Sequence, residues 1–217
     1  MIDLHTHTLF SDGDLLPAEL VQRAHAAGYT AIALTDHMDM SNVDFIVPRI
    51  VAASQELAAY APLRIIPGAE ITHVPPPLIA SLVEKARSLG ALIVVVHGET
   101  VAEPVLPGTN RAGIEAGADI LSHPGLITMD DAALAAERHV ALEITARKGH
   151  CLSNGHVAKT AMAAGASMVI NTDSHSPDDL ISRERARVIL RAAGIPEEGL
   201  DSVFRNSQII VDRVRRN

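Results

Sequence analysis

Seven short aliphatic runs, separated by stretches whose apolar residues have helical spacing, constrain the fold of this 217-residue chain more than any other feature. The runs show no alternation of apolar and polar residues, which indicates strands buried on both faces. Strands that alternate with helices predict a parallel sheet whose outer face is covered by those helices. An α/β barrel fits the length of the chain. The predicted strands are residues 2–5, 31–35, 64–69, 92–97, 119–123, 140–145 and 168–172.

Proline and glycine mark the ends of the predicted helices. Proline favours the first turn of a helix, and it stands at Pro17 and in the run 75–77. Glycine just past a helix takes the positive φ required there, and the predicted stops are Gly28, Gly90, Gly117, Gly165 and Gly194. The tail at 200–217 predicts a last packed helix, from the helical spacing of Val203, Ile209, Ile210 and Val214. No linker divides the chain, so residues 1–217 are expected to form one domain.

The composition argues against several classes of partner. A net charge of −8 disfavours binding to a nucleic-acid duplex through its phosphates. Two Tyr, three Phe and no Trp disfavour stacking on single strands. Cys151 is the single cysteine, which excludes an internal disulfide and indicates a reducing compartment. Because neither a leader nor a membrane-length apolar run is evident, we expect a cytoplasmic protein without a membrane partner. The oligomeric state stays open, with a homo-oligomer among the alternatives.

The first predicted strand ends in a His-x-His motif. Side chains alternate along a strand, so His5 and His7 lie on one face, where two neutral imidazoles are a pair of metal ligands. Because the carboxyl ends of parallel barrel strands meet at one rim, the polar residues at the other strand ends are expected to join them. A lone histidine at such a position is more often an ordinary hydrogen-bonded residue, but the set as a whole predicts a centre for Zn, Mn or Fe. These further residues are Asp36, His37, Glu70, His97, His123, Asp173 and His175 at strand ends, with Glu143 inside the sixth predicted strand.

The remaining histidines and the cysteine carry weaker signals. His25 and His139 fall in helical stretches and are expected to have no role. Cys151 has no cysteine partner and is expected to be an incidental or structural thiol. The sequence leaves open whether the histidines in predicted loops face the site; these are His73, His150 and His156.

Seven segments of the chain, in order, resemble the polymerase and histidinol phosphatase (PHP) superfamily, over residues 1 to about 190. The resemblance implies an irregular seven-stranded (β/α)7 TIM-like barrel with up to three metal ions at its carboxyl rim. The matching segments are DLHTHT at 3–8 with SDG at 11–13, LTDH at 34–37, GAE at 68–70, VHGE at 96–99, ILSHPG at 120–125, LEI at 142–144 and NTDSH at 171–175.

The resemblance also implies a ligand set for each of two or three divalent ions. The implied sets are His5, His7, Glu70 and Asp173 for the first ion, Glu70, His97 and His123 for the second, and His37 and His175 for the third. Glu70 is thus expected to bridge two ions. The third ion needs a further ligand from the first loop, where some relatives have a histidine and this chain offers Asp12 or, as the weaker alternative, Asp14. Asp3 and Asp36 are expected to orient neighbouring imidazoles.

The activity that follows from the resemblance is metal-dependent hydrolysis of a phosphate ester. Two bridged ions can activate a shared hydroxide, and neither a Ser/His/Asp nucleophile set nor a P-loop is evident. We expect a small phosphomonoester as substrate, with Glu70, Asp173 and Arg147 as catalytic residues. The expected substrate-binding residues are Arg111, Arg147 and Lys148, which follow predicted strands. The polar, glycine-rich segment 96–111 is expected to be a loop on the substrate side.

Four other functions remain as alternatives. Two lie within phosphate-ester hydrolysis: a phosphatase specific for histidinol phosphate, and a nucleotide or oligonucleotide phosphodiesterase. A third is hydrolysis of carbon–nitrogen bonds, as in the amidohydrolase barrels, which commonly use a carboxylated lysine where this chain has Glu70. The last is a metal-binding regulatory module that has lost catalysis, which the nearly complete ligand set disfavours.

Overall fold

The computed structural model describes residues 1–214 of the protein. Short strands alternate with helices along the chain, as the aliphatic runs predict. The strands are β1 (Ile2–Asp3), β2 (Ala31–Leu34), β3 (His37–Met38), β4 (Arg64–Ile71), β5 (Ile93–His97), β6 (Ile120–Ser122), β7 (Ala141–Thr145) and β8 (Met168–Asn171). The helices are α1 (Pro17–Ala26), α2 (Val43–Ala58), α3 (Pro76–Ser88), α4 (Thr109–Glu115), α5 (Met129–Arg138), α6 (Asn154–Ala164), α7 (Arg183–Ala192) and α8 (Glu197–Val214), with 3-10 turns at His150–Ser153 and Pro177–Asp179.

All strands are parallel and follow the order β1-β2-β4-β5-β6-β7-β8, with β3 also paired to β4. Strand β3 continues β2 after a break at residues 35–36: β2 pairs with the start of β4, and β3 pairs with its end. Across the break, the backbone N–H of Glu70 donates to the carbonyl of Asp36 at 3.1 Å. Counted in this way the sheet has seven strands, which confirms the expected α/β barrel.

The barrel is nearly closed between β1 and β8, at their carboxyl ends. Thr6 forms a parallel bridge with Ser174, and the N–H of His7 donates to the Ser174 carbonyl at 2.9 Å. The N–H of Asp173 donates to the carbonyl of His5 at 3.0 Å. The same contacts that close the barrel therefore bring the His-x-His motif against the segment that follows β8.

Aliphatic residues fill the barrel interior, and helix α8 covers the amino ends of its strands. Asn206 of α8 donates to the carbonyl of Met168, the first residue of β8, at 2.8 Å. The buried cluster inside the barrel consists of Leu4, Ala31, Ala33, Ile66, Ile93, Val95, Ile120, Ala141, Val169 and three residues of α8, Ile210, Val211 and Val214. Because this end is packed with apolar side chains, only the opposite rim is left for polar chemistry.

The helix ends follow the predicted signals with few exceptions. Helices α1 and α3 begin at Pro17 and Pro76, and all five predicted glycine stops have positive φ. Helix α5 ends differently, because His139 itself takes the left-handed conformation that follows the helix, at φ 57°. His25 and His139 are both exposed, and they lie away from the rim on α1 and at the end of α5.

The predicted tail helix corresponds to α8, which starts before residue 200 and is described as far as Val214. Residues 215–217 of that prediction lie outside the described residues. Ile209 is 63% exposed, whereas Ile210 is 7% exposed, so of these two predicted positions Ile210 lies on the buried face and Ile209 does not. Within residues 1–214, no helix combines the length and apolar character needed to cross a bilayer.

Candidate metal centre

The carboxyl rim of the barrel surrounds a cavity of about 360 Å³ whose wall is rich in imidazole and carboxylate groups. His5, His7 and Glu70 are fully buried and contact the residues that line the cavity. The nine predicted metal ligands thus come together in one place, although they are spread over most of the sequence. Among these nine, the residues that line the cavity are Asp12, His37, His97, His123, Asp173 and His175.

The first group of ligands joins the His-x-His motif to two carboxylates. Nε2 of His5 lies 3.2 Å from Oε1 of Glu70 and 3.6 Å from Oδ1 of Asp173. Nε2 of His7 lies 3.1 Å from the same oxygen of Asp173. The four donor residues therefore face one another at separations suited to a shared cation. Two overlapping triads, His5–His7–Glu70 and His5–His123–Asp173, could each hold an ion.

Glu70 stands between the groups and directs its two oxygens to different imidazoles. Oε1 faces His5 at 3.2 Å and His123 at 3.9 Å, whereas Oε2 faces Nδ1 of His37 at 2.6 Å and Nε2 of His7 at 3.8 Å. Glu70, His97 and His123 form a triad that could hold an ion. This arrangement suits the bridging role that the resemblance implies for Glu70.

The third group consists of Asp12, His37 and His175 and lies beside the loop that follows β1. Oδ1 of Asp12 is 3.2 Å from Nε2 of His175 and 3.5 Å from Nε2 of His37. Asp14 is exposed and meets the site only through its backbone N–H, which donates to the carbonyl of His175. Gly13 permits this turn, because a Cβ there would lie 2.6 Å from the carbonyl oxygen of His7. The structure thus places Asp12, rather than Asp14, beside the two imidazoles.

Two buried carboxylates have contacts other than those expected. Asp3 accepts hydrogen bonds from the hydroxyl and N–H of Thr172 and from the N–H of His5, so it fixes backbone rather than an imidazole. Asp36 accepts hydrogen bonds from both the N–H and hydroxyl groups of Thr8 and Ser11, and so shapes the loop that carries Asp12. Burial raises the pKa of Asp3 to about 6 and also raises the pKa of Asp36. Neither carboxylate has the predicted contact with a ligand imidazole.

Glu143 is the carboxylate that orients a ligand ring. Its Oε1 lies 2.9 Å from Nδ1 of His5 and accepts a hydrogen bond from the side-chain amide of Asn171 at 2.8 Å. Its Oε2 accepts the backbone N–H of His123 at 3.1 Å. One buried side chain therefore fixes His5 and His123 together. The sequence placed Glu143 within the sixth predicted strand, and the packing of β7 beside β8 reveals its positioning role.

Sequence reasoning missed Glu103, which lies in the loop between β5 and α4. Its carboxylate approaches the ring nitrogens of His73, His97 and His150 at 3.1, 3.2 and 3.5 Å. Hydrogen bonding to His97 is the main cause that lowers the pKa of Glu103 to about 2. The polar character of segment 96–111 indicated a loop at the site, and an acidic residue such as Glu103 within that loop could have been proposed as a partner for the histidines. His73 and His150 thus face the cavity, whereas His156 contacts the carbonyl of Ile127 and does not line it.

Several site residues have backbone conformations that side chains rarely adopt. Within residues 1–214, the positive-φ residues other than glycine are His73, His123, His139 and Asp173, and all but His139 line the cavity. Such conformations cost about 1–3 kcal/mol each and persist where the surroundings enforce them. Their concentration at the rim marks it as a functional site.

Buried ring nitrogens and a carboxylate oxygen without hydrogen-bond partners test whether the site fits metal ions. Buried polar atoms are nearly always hydrogen-bonded, so a cluster of exceptions calls for a ligand. Among the described residues, the buried ring nitrogens that lack a well-directed hydrogen bond are Nε2 of His5, both ring nitrogens of His7, Nδ1 of His97 and Nδ1 of His123, and Oδ1 of Asp173 beside them lacks one too, although Nε2 of His7 lies within 3.1 Å of it. All belong to predicted ligands, and imidazole with carboxylate is the donor set of Zn, Mn and Fe. The residues therefore fit the ions that the resemblance implies.

Protonation in the ion-free protein reflects the crowding of these groups. Burial raises the pKa of Asp173 to about 7. Burial alone would lower the pKa of His37, but the charge of Glu70 beside it raises the value to about 8. Burial would likewise raise the pKa of Glu70, yet the imidazoles of His5 and His37 hold it well below its usual range. In the ion-free protein, protons on Asp173 and His37 thus offset the negative charge that bound cations would otherwise neutralise.

The three cations predicted to bind substrate lie in different surroundings. Arg147 lines the cavity, with one guanidinium nitrogen 3.1 Å from Asp179. Lys148 is exposed and does not line the cavity. Arg111 belongs to helix α4 rather than to a loop, and it pairs with Asp131 at 2.8 Å on the outer layer of helices. The structure therefore brings only Arg147 to the site.

Comparison with known proteins gives one matching family and relatives that are similar over most of their length. The family model described as PHP domain matches residues 3–159. An uncharacterized protein from Methanocaldococcus jannaschii is 46% identical over 204 residues, covering 93% of this chain and 94% of that protein. A probable phosphatase from Shewanella pealeana is 30% identical over 231 residues, covering 92% and 87% of the two chains.

A solved structure shares the fold. It is histidinol phosphate phosphatase from Lactococcus lactis, complexed with zinc, L-histidinol and phosphate, and the TM-score is 0.62. The two chains are 18% identical, and the match covers 90% of this chain and 94% of the other. At this level of identity, the likeness supports the barrel fold alone.

Proposed function

Because this chain belongs to the PHP domain family, we propose that it hydrolyses a small phosphomonoester at the rim of its barrel. The family match and the phosphatase relatives make it a metal-dependent phosphoesterase. The observation that carries the finer proposal is the convergence of nine potential ligands, several with unpaired buried donor atoms, on one small cavity.

Up to three divalent ions, of Zn, Mn or Fe, are assigned to the three ligand groups. His5, His7, Glu70 and Asp173 would hold the first, Glu70, His97 and His123 the second, and Asp12, His37 and His175 the third. Ions bound there would supply Lewis-acid activation of water and of the phosphate oxygens. Glu70 would be the shared ligand, because its oxygens face imidazoles of more than one group, and Asp173 also lies 3.6 Å from Nε2 of His123. Glu143 holds the ring of His5 in place behind them.

Arg147 is assigned to the phosphate group of the substrate. It is the one arginine or lysine among the described residues that line the cavity. A guanidinium has five N–H donors, and the contact with Asp179 leaves others free to meet phosphate oxygens. Asp179 also accepts the backbone N–H of His175 at 2.9 Å. The phosphate-binding cation and the third ligand group are therefore fixed by the same carboxylate.

The size and charge of the protein favour a small substrate over a polymer. Pockets for small molecules usually enclose about 300–1,000 Å³, and this cavity, at about 360 Å³, is near the lower limit. The net charge of −8 disfavours an extended phosphate backbone outside the cavity. A phosphomonoester meets both conditions, because its charge is concentrated on one group that reaches the centre.

Metal analysis paired with a substrate screen on the same purified sample tests the proposal. The screen contains histidinol phosphate, a nucleoside monophosphate, a phosphodiester and single-stranded DNA. We expect two or three ions per chain and turnover of a monoester that chelation abolishes and metal restores. Turnover of the phosphodiester or DNA alone would show that the substrate is a phosphate diester and not a monoester. Ions without any turnover would favour a regulatory module, and absence of ions after reconstitution would contradict the metal centre.

Substitution of Arg147 tests the phosphate assignment. Loss of a charge-assisted hydrogen bond costs about 1.5–3 kcal/mol, so Arg147→Ala is expected to raise KM for the monoester about 10- to 100-fold. Lys148→Ala removes the neighbouring charge outside the cavity and is expected to leave KM near the wild-type value. Equal effects of the two substitutions would show that Arg147 acts only through the general charge of this loop.

A further inference from the structure

Glu103 stands at the cavity wall between imidazoles from separate loops. Its Oε2 lies 3.1 Å from Nε2 of His73 and 3.2 Å from Nε2 of His97. Its Oε1 lies 3.5 Å from Nε2 of His150. The side chains of His73 and Glu103 are 43% and 39% exposed, whereas that of His97 is buried. The cluster thus runs from solvent to the edge of the second ligand group.

The donor atoms of this cluster have the chemistry and spacing of a metal site. Ligand bonds of about 2.0–2.2 Å place neighbouring donors about 2.8–3.6 Å apart in an octahedron or a tetrahedron. The two distances from Glu103 Oε2 fall in that range, and the three donor residues could hold an ion together. Two histidines and one glutamate, with a side open to solvent, match the three-ligand pattern of zinc sites that keep an exchangeable position.

His97 belongs both to this cluster and to the second ligand group. We call Glu70, His97 and His123 the inner seat, and His73, His97 and Glu103 the outer seat. A neutral imidazole has one acceptor nitrogen, so His97 binds an ion in one seat at a time. The inner seat is buried, and the outer seat is the part of this path that solvent reaches.

We propose that the outer seat binds a divalent transition-metal ion and passes it to the inner seat through their shared ligand, His97. Stepwise exchange would replace His73 and Glu103 by His123 and Glu70, so that the ion keeps protein ligands throughout its entry. The inference rests on the proposed metal centre through His97 alone. It assigns to Glu103 and His73 a role in metal loading that is separate from the hydrolytic step.

Uptake kinetics test the outer seat in the full chain. Metal-free protein is mixed with Co²⁺, and the absorbance of the bound ion is followed by stopped flow. Glu103→Gln replaces the carboxylate donor by a weakly binding neutral amide and His73→Asn removes the imidazole donor, and both positions are exposed, so the fold is expected to persist. We expect one uptake phase to slow by at least about tenfold, the scale of loss when metal surroundings are altered, with the final number of ions unchanged. Unchanged uptake rates in both variants would overturn the proposal.

Asp39→Asn is the matched control, because Asp39 lines the same cavity and contacts Ser41 rather than the cluster. It removes a comparable negative charge without removing a donor of either seat. We expect its uptake rate to stay near that of the wild type. If Asp39→Asn slows uptake as much as Glu103→Gln, the effect is one of general charge and the outer seat is refuted.

An equilibrium measurement separates failure of the outer seat from failure of the metal centre. His123→Ala removes an inner ligand, and we expect Co²⁺ titration to show the same number of ions with one bound at least about tenfold more weakly. Adding Glu103→Gln to that variant is expected to remove this ion. If His123→Ala alone loses the ion, the outer seat is refuted while the phosphoesterase centre stands. Wild-type protein that binds no Co²⁺ would overturn both.

Discussion

At the scale of single residues, two ligand rings of this centre, those of His5 and His175, are held at one ring nitrogen and face the site with the other. His5 is held at Nδ1 by Glu143 at 2.9 Å, and His175 is held at Nδ1 by the carbonyl of Asp173 at 2.9 Å. In both rings Nε2 then faces carboxylate oxygens inside the site. A hydrogen bond at one ring nitrogen sets the tautomer that leaves the other available as a ligand. The site therefore has its donors arranged before an ion arrives.

The choice between Asp12 and Asp14 gives a prediction at this scale. The carboxylate of Asp12 approaches both His37 and His175, whereas Asp14 contacts His175 through its backbone N–H. Asp12→Ala is expected to weaken one ion by about tenfold or more, because a ligand is lost, while Asp14→Ala keeps all ions. Metal content after gel filtration and a competition titration measure both variants. Full retention of every ion by Asp12→Ala would remove this residue from the third group.

At the scale of secondary-structure elements, helix α8 determines which end of the barrel is open. Ile210, Val211 and Val214 pack with the residues inside the barrel, and so they close the amino ends of the strands. The sequence predicts a helix here but not its phase, because Ile209 and Ile210 are equally apolar and only the packed barrel distinguishes them. Helical periodicity identifies the element, and tertiary contact selects the buried face.

The difference between these two isoleucines gives a prediction about stability. Ile210 is 7% exposed and Ile209 is 63% exposed, so truncation should create a cavity at one position only. Ile210→Ala is expected to cost about 2 kcal/mol, the lower end for a buried isoleucine. For a chain of this length, that loss lowers Tm by about 4–8 °C. Ile209→Ala is the matched control and should change stability by less than about 0.5 kcal/mol. Thermal unfolding at saturating metal measures both; equal shifts would contradict the packing of α8.

At the scale of the whole molecule, the fold and the inner ligands were predictable because they follow rules of position. Parallel strands end at one rim, so residues such as His97 and His123 could be placed together without knowing any distance. Glu103 escaped this reasoning because it lies inside a loop, where position along the chain does not determine position in space. The prediction that Arg111 binds substrate failed for a related reason. The expected loop extends to residue 111, but helix α4 already begins at Thr109 and places the Arg111 side chain on the outer layer, beside Asp131.

Roles of buried carboxylates were the least predictable part of the site. Asp3 and Asp36 stand near strand ends and Glu143 lies within a strand, and the sequence cannot tell a backbone contact from a contact with an imidazole. The packing of neighbouring strands determines the partner of each carboxylate. Glu143 contacts Asn171 of β8 and the ring of His5, which follows β1. Asp3 instead accepts a hydrogen bond from Thr172. A residue type at a strand end thus predicts membership of the cluster, and the three-dimensional register assigns the partner.

The charge balance of the centre gives the last prediction, a pH dependence of metal binding. In the ion-free protein, burial raises the pKa of Asp173 to about 7. Burial would lower the pKa of His37, but the charge of Glu70 raises it to about 8. Both groups therefore hold protons at about pH 6 that an incoming ion must displace, and fewer protons remain at about pH 8. The affinity for divalent ions is expected to rise between these values.

Calorimetric titration with Zn²⁺ or Mn²⁺ measures this dependence. Titration in two buffers with different ionisation enthalpies counts the protons released, and we expect more protons released at about pH 6 than at about pH 8. Stability should follow the same sign, because an ion at 100 times its Kd adds about 2.7 kcal/mol to the free energy of unfolding. At a fixed ion concentration, the difference in Tm between metal-loaded and chelated protein should therefore shrink as pH falls. If affinity and proton release do not change with pH, the protonated groups lie outside the ligand set, and Asp173 and His37 are not ligands.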